Sequence, residues 1–314
     1  MRLTRRSGTL LLAAVLSVGT GAPVEATAAK DLVRYADGSC PGKGFGVQHL
    51  CAPWRLRLRS GRVVRLTDAR LYVDPGSKRP GLAPFALSPH GSQAAYFRLK
   101  DDALVIRDVT TGKVRVVPGV KWSLTNRFRI GLSPAAQFVV TRRGELHQVL
   151  NSVTAQAYTL PAGQYPMSFS PDNEHLLVRQ RDGTSVVYST ETWSVVRTGP
   201  RAAFFPALHT NGTTIAYIDS DPFGKEPDSI RFLDLAGGPV SSPIKLPAGE
   251  DGNALLWDRA NHLDILTRAH SGHDLVWRWR RANDGMRVLD TFVQPPSEFS
   301  VDDEIDVFSG VLDY

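Results

Sequence analysis

Phe169-Ser170-Pro171-Asp172-Asn173-Glu174-His175-Leu176-Leu177-Val178 is the stretch that decides the fold. Apolar residues run into a polar Pro/Asp/Asn turn, and a second apolar run leaves it. Pro pre-sets the backbone for a turn, and Asp and Asn close turns through their own side chains, so the stretch reads as two antiparallel strands joined tightly.

The pattern recurs along the chain. Leu87-Ser88-Pro89-His90-Gly91 leads into Ala94–Phe97, and Leu132-Ser133-Pro134-Ala135-Ala136 leads into Phe138–Val140. Leu208-His209-Thr210-Asn211-Gly212 leads into Ile215–Ile218, and Leu256-Trp257-Asp258-Arg259-Ala260 into Leu263–Leu266. Phe299-Ser300-Val301-Asp302-Asp303, before Ile305–Phe308, is the last. Anchors at 88, 133, 170, 209, 257 and 300 are spaced by 45, 37, 39, 48 and 43 residues. That period is the length of one four-stranded propeller blade. Between the anchors lies a second hairpin, for instance Leu104–Asp108 turning at Thr111-Gly112 into Val114–Val117. The first hairpin of the chain, Trp54–Leu58 with Val63–Leu66, lacks an inner partner, and the last inner one lacks an outer partner. Pairing residues 297–309 with residues 53–67 would complete a sixth blade from both chain ends and leave no open sheet edge. The expected fold is an all-β, six-bladed β-propeller.

Ser-Pro-Asp-Gly-like turns followed by a strand of small apolar residues resemble the TolB-type, WD-repeat-like β-propellers, over roughly residues 50–312. Ser88, Ser133 and Ser170 keep the Ser-Pro pair, and none of the six turns carries all four residues. The resemblance implies a rigid propeller that recognises other envelope proteins. It carries no partner-binding residue onto this sequence.

The N-terminus reads as a secretory signal peptide over residues 1–28. Arg2, Arg5 and Arg6 precede the apolar run Leu10–Leu16, and Ala26-Thr27-Ala28 supplies a cleavage site. Thr4-Arg5-Arg6 also resembles a twin-arginine signal, although Ser7-Gly8-Thr9 follows it in place of an apolar residue. Cleavage near Ala28 would leave a segment over 29–52 and a propeller over 53–314, secreted or held in the cell envelope outside the cytoplasm. No stretch reaches the length of a membrane span. Loss of Arg2, Arg5, Arg6 and Glu25 lowers the formal net charge from +6 to +4. So small an excess attracts anionic envelope polymers weakly and argues against nucleic-acid binding. A monomer is expected.

Cys40 and Cys51, eleven residues apart in an exported chain, are expected to form a disulfide across the Gly/Pro-rich loop Pro41–Gly46. Closing it would stabilise the fold by about 2–3 kcal/mol. Two cysteines without further ligands cannot complete a tetrahedral metal site. The loop lacks the Gly-Lys-Ser/Thr ending of a phosphate-binding loop.

Alternation over 53–67 places Trp54, Leu56 and Leu58 on one sheet face and Arg55, Arg57 and Arg59 on the other. Trp277-Arg278-Trp279-Arg280-Arg281 repeats the pattern. Arg55, Arg57, Arg59, Arg278 and Arg280 are thus candidates for a basic binding patch. The plainer alternative is a solvated strand face, or arginine stems covering a neighbouring blade. Asp219–Asp228 is an acidic loop without EF-hand spacing, and His270-Ser271-Gly272-His273-Asp274 offers two imidazoles with no third ligand or nucleophile beside them. Neither a Gly-x-Ser-x-Gly elbow nor a His-Glu-x-x-His motif occurs.

No catalytic residue, metal or cofactor is therefore expected. The favoured function is a non-catalytic module that binds a protein or cell-envelope ligand. The alternative is a propeller hydrolase or lactonase-like enzyme with a metal in the central channel, because propeller enzymes assemble sites from residues far apart in sequence.

Overall fold

Antiparallel pairing gathers the described strands into six four-stranded sheets. The computed structural model describes residues 31–37, 53–72, 83–122, 128–143, 146–202, 204–220, 228–237, 241–272, 274–294 and 307–308. In chain order, β1 (Val33–Asp37), β2 (Trp54–Leu58) and β3 (Val63–Leu66) belong to a composite blade. Blade 1 holds β4 (Phe85–Leu87), β5 (Gln93–Phe97), β6 (Ala103–Asp108) and β7 (Val114–Lys121). Blade 2 holds β8 (Phe128–Leu132), β9 (Phe138–Arg143), β10 (Leu146–Asn151) and β11 (Ala157–Thr159). Blade 3 holds β12 (Gln164–Phe169), β13 (His175–Gln180), β14 (Ser185–Ser189) and β15 (Val195–Gly199). Blade 4 holds β16 (Phe204–Leu208), β17 (Thr214–Asp219), β18 (Ser229–Asp234) and β19 (Ile244–Lys245). Blade 5 holds β20 (Asp251–Trp257), β21 (Leu263–Ser271), β22 (Asp274–Arg281) and β23 (Arg287–Gln294), and β24 (Val307–Phe308) returns to the composite blade.

The first strands of successive sheets touch, β24 against β4, β4 against β8, β12 against β16 and β16 against β20, so they form the inner ring. Middle strands are apolar on both faces: Ala94–Phe97, Leu104–Ile106, Leu176–Val178 and Val186–Tyr188 are buried throughout. A sheet covered on both sides reads as a continuous apolar run, without strict alternation. Outer strands face solvent, as Val195 and Val196 of β15 do. Each sheet gives one face to the blade before it and one to the blade after, and the buried side chains fall into six clusters, one per interface. Leu56, Leu66, Phe85 and Tyr96 join the composite blade to blade 1. Tyr35, Trp277, Trp279 and Phe292 join blade 5 to the composite blade, so the ring closes.

Closure differs from the sequence expectation. The C-terminal strand β24 pairs with β1, Tyr35 opposite Phe308 and Ala36 opposite Val307, and does not pair with the hairpin at 53–67. Strand β1 stands between β24 and β2, with Asp37 opposite Arg55. The composite sheet therefore takes three strands from the N-terminal side, one of them from within residues 29–52. The partners of this five-residue strand are distant in sequence, so no local hairpin signal marks it. The expected signal peptide over 1–28, Cys40, Cys51 and the expected turn at 299–303 lie outside the described residues. Among the described residues no helix is long and apolar enough to cross a membrane.

Candidate functional site

The recurring inner turns share one construction, and it explains their sequence. The Ser133 amide donates to the Phe138 carbonyl at 3.0 Å, and the Ala136 amide donates back to the Ser133 carbonyl at 2.8 Å. The Ser133 hydroxyl accepts the Phe138 amide at 3.0 Å. Ser88 and Ser170 accept the Gln93 and His175 amides in the same way, at 3.0 and 2.9 Å. A side-chain acceptor at the anchor serves these three turns, which is why Ser recurs there, whereas in blade 4 the Thr214 amide goes to Asn211 Oδ1 at 3.0 Å. In blade 5 the role belongs to Asp258, whose Oδ1 accepts the His262 amide at 2.8 Å. The anchor of that blade is therefore one residue later than Trp257. The fourth turn residue is left-handed in each of the five described turns: Gly91, Ala136, Asn173, Gly212 and Asn261 have φ of 70, 52, 67, 66 and 61°.

These turns line one end of the ring and hold much of its ionisable chemistry. Asp258 Oδ2 lies 2.9 Å from His262 Nδ1 and 3.3 Å from an Arg281 nitrogen, and Arg281 Nε lies 2.9 Å from Asp264 Oδ1. Burial pulls the His90 imidazole below its usual value, against the opposing charges of Asp258 and Asp264. Arg259 of blade 5 donates to the Pro171 carbonyl of blade 3 at 3.4 Å. In the turn of blade 3, Asp172, Glu174 and His175 bring one ligand atom each within 4.8 Å of one another. Asp172 Oδ1 also accepts the Glu174 amide at 3.0 Å and the Ser170 hydroxyl, which makes it part of the turn itself.

The predicted arginines lie in two ion-pair centres and one exposed turn. Trp54, Leu56 and Leu58 are buried while Arg55 and Arg57 lie on the other face, as the alternation requires. Arg55 Nε and Arg57 Nε reach Asp37 Oδ1 and Oδ2 at 2.5 and 2.6 Å, and the Asp37 side chain is 1% exposed. In blade 5, buried Glu250 takes Arg278 at 2.8 Å, Arg280 at 2.8 and 2.6 Å, and the Thr267 hydroxyl at 2.6 Å. Burial opposes the Glu250 charge, but the hydrogen bonds from Arg280 and Thr267 and the charges of both arginines outweigh it and hold the carboxyl below its ordinary value. Arg59 stands apart, exposed in the turn after β2. Asp37 and Glu250 were not singled out from the sequence, because nothing local ties a carboxylate to arginines 18 to 30 residues away.

His270 is exposed at the end of β21, while His273 lies outside the described residues. Asp219 pairs with Arg231 at 2.6 Å, and the rest of its loop, 221–227, lies outside the described residues.

At the opposite end of the ring the inner strands are irregular. β12, β16 and β20 each carry a bulge, between Pro166 and Ser168, Phe204 and Ala207, and Gly252 and Ala254. The bulge of β16 holds Phe205 at φ 49°, and the residue is 42% exposed. Bulky residues avoid this conformation, and no sequence signal marks it.

No protein-family model and no curated protein matches the chain. Among solved structures it is similar to the crystal structure of TolB from Acinetobacter baumannii, at 15% identity and a TM-score of 0.47, over 77% of this chain and 61% of that one. It is also similar to Kuenenia stuttgartiensis hydrazine synthase, at 16% identity and a TM-score of 0.43, over 68% of each chain. The chain thus spans 61% of the length of the TolB structure that it matches.

Proposed function

We propose that this six-bladed propeller is an extracytoplasmic, non-catalytic module that binds a protein or cell-envelope ligand. The supporting observation is Phe205. A left-handed backbone at a bulky residue costs on the order of 1–3 kcal/mol, and the cost persists only where the surroundings hold it. Here it presents an aromatic ring to solvent on an innermost strand, next to bulges in the flanking blades. Bulges re-aim side chains and gather near functional sites. Exposed aromatic rings on rigid supports are the usual anchors of binding surfaces.

The test is affinity capture. The purified protein is immobilised and exposed to the solubilised envelope and secreted fraction of the producing organism, and retained material is identified by mass spectrometry. One component retained near stoichiometric amounts, and released by Phe205→Ala without a change in melting, is the expected result. Retention that ignores the substitution removes Phe205 from the reading, and no retention removes the reading. The alternative, a channel enzyme, finds its support in Asp172, Glu174 and His175. Metal analysis of the purified protein, with and without His175→Ala, tests it.

A further inference from the structure

The arginines with buried acid partners leave another set at the same end of the ring. Arg179 of β13 stands opposite Tyr165 of β12 and Ser185 of β14. Arg181 is exposed in the hairpin between β13 and β14, near enough to Gly163 that a Cβ there would lie 3.6 Å from the Arg181 Cβ. Arg201, exposed between blades 3 and 4, runs along Gly183 of the same hairpin, where an added Cβ would lie 3.1 Å from its Cδ. The three arginines thus surround one hairpin. The acid among them is Asp182, whose Oδ1 is engaged by the Thr184 amide at 2.8 Å. In blade 2, Arg129 and Arg142 stand opposite each other across β8 and β9. His147, opposite Arg142, sets its ring edge-on to Tyr165 at 5.5 Å and so links the two blades.

We propose that Arg179, Arg181 and Arg201 form the docking surface for a flexible polymer that carries repeated phosphate groups. This names a ligand for the binding reading above and rests on it. Arginine forks match phosphate oxygens in pairs of hydrogen bonds. The residues around the hairpin itself are polar or small, Gln180, Gly183 and Thr184, and Tyr165 beside Arg179 is half-buried with its ring against His147, so the hairpin offers charge rather than apolar area. Each exposed ion pair contributes little alone. A polymer that engages several together gains from multivalency, which a single small anion cannot do.

The experiment titrates fluorescently labelled polyphosphate of uniform length against the full protein, R181E/R201E and a control R62E/R287E. The control has the same charge change at two other exposed arginines, Arg62 after β2 and Arg287 at the start of β23, each in an exposed ion pair, with Asp31 and Asp284 respectively. R181E/R201E should bind about tenfold more weakly, with a shallower salt dependence, while the control stays within about twofold. Equal losses in both variants would reduce the effect to net charge, and a wild type that does not bind polyphosphate would end the proposal. A glutamate oligomer bound more tightly than polyphosphate would overturn the phosphate assignment in favour of an acidic protein segment. Melting curves accompany each variant, and R181Q/R201Q replaces the reversal if that protein does not fold. In any of these failures, a component still captured from the envelope fraction leaves the wider binding reading intact.

Discussion

Replacing Gly91 with alanine should weaken the closure of the ring far more than the same change at Gly112. Both glycines are left-handed, at φ 70° and 72°, so each alanine meets the same backbone penalty, about 1–2 kcal/mol. At Gly112 an added Cβ meets nothing within 4 Å, and the penalty ends there. At Gly91 it would lie 2.2 Å from the Val33 carbonyl oxygen and 3.0 Å from the Val33 nitrogen. These are backbone atoms of β1, fixed by the Val33 amide, which donates to the Gly91 carbonyl at 2.9 Å. Relief requires moving β1 away from blade 1. That loses a hydrogen bond contributing about 1 kcal/mol and uncovers part of Val33, a side chain whose full burial contributes about 1.5–3 kcal/mol. Gly91→Ala should therefore cost about 2–3 kcal/mol more than Gly112→Ala. At roughly 2–4 °C per kcal/mol for a domain of this size, the melting points should differ by about 4–12 °C. Thermal unfolding followed by tryptophan fluorescence reads this directly, because Trp54 is buried in the same cluster as Val33 and stacks on Phe85 at 4.5 Å. Melting points within about 2 °C of each other would refute the contact between β1 and the turn of blade 1.

Three further outcomes follow from the ion pairs and turns. Glu250→Gln leaves Arg278 and Arg280 facing an uncharged amide and should destabilise by about 3 kcal/mol in denaturant titrations at neutral pH. Because the folded carboxyl titrates below its ordinary value, its contribution is present above the usual glutamate range and is lost as pH falls below it, so the variant should show a flatter acid limb. Burial, with the charge of Asp68 3.1 Å away, pushes the Tyr96 hydroxyl up to about 12, and Asp68→Asn should lower that value in an absorbance titration. Wild-type stability should accordingly fall as pH rises past about 10, where unfolded tyrosine ionises first. Ala155 is half-buried at φ 60°, so Ala155→Gly should stabilise by about 0.5–1 kcal/mol in the same denaturant assay.

The blade architecture was legible because it is written locally. Where the turn anchor supplies an acceptor to an amide a few residues on, as Ser88, Ser133 and Ser170 do, it marks its strand in any reading. Where another residue type does that work the signal shifts, as at Asp258, which displaced the anchor by one. Strand β1 escaped notice because its partners, residues 55–58 and 307–308, are distant in sequence. The arginine alternation correctly placed Arg55 and Arg57 away from the core, but alternation states a direction and not a partner. Only the register across β1 and β2 brings Asp37 between them. Phe205 left no trace because its backbone conformation is imposed by the bulge and not encoded in its residue type.

Strand β1 also helps to close the ring. The C-terminal strand supplies two described residues to the composite sheet, opposite Tyr35 and Ala36. β1 reaches both neighbouring blades. A register shift between Val33 and Tyr35 divides its side chains. Val33 and Ala36 enter the cluster shared with blade 1. Tyr35 stacks on Phe292 of blade 5 at 5.3 Å, and Arg34 makes two hydrogen bonds of 2.7 Å to Asp290, with its guanidinium 5.8 Å from the centre of the Phe292 ring. An ion pair with both partners mostly buried, and with the fork engaged twice, holds better than an exposed one. Among the described residues β1 thus contributes to closure on both sides, reaching blade 1 through the Val33 backbone and the Val33 and Ala36 side chains and blade 5 through Arg34 and Tyr35. The buried Asp37 that ends β1 is what fixes Arg55 and Arg57 in place. Those two arginines are held by Asp37 within the composite sheet, whereas Arg181 and Arg201 are exposed.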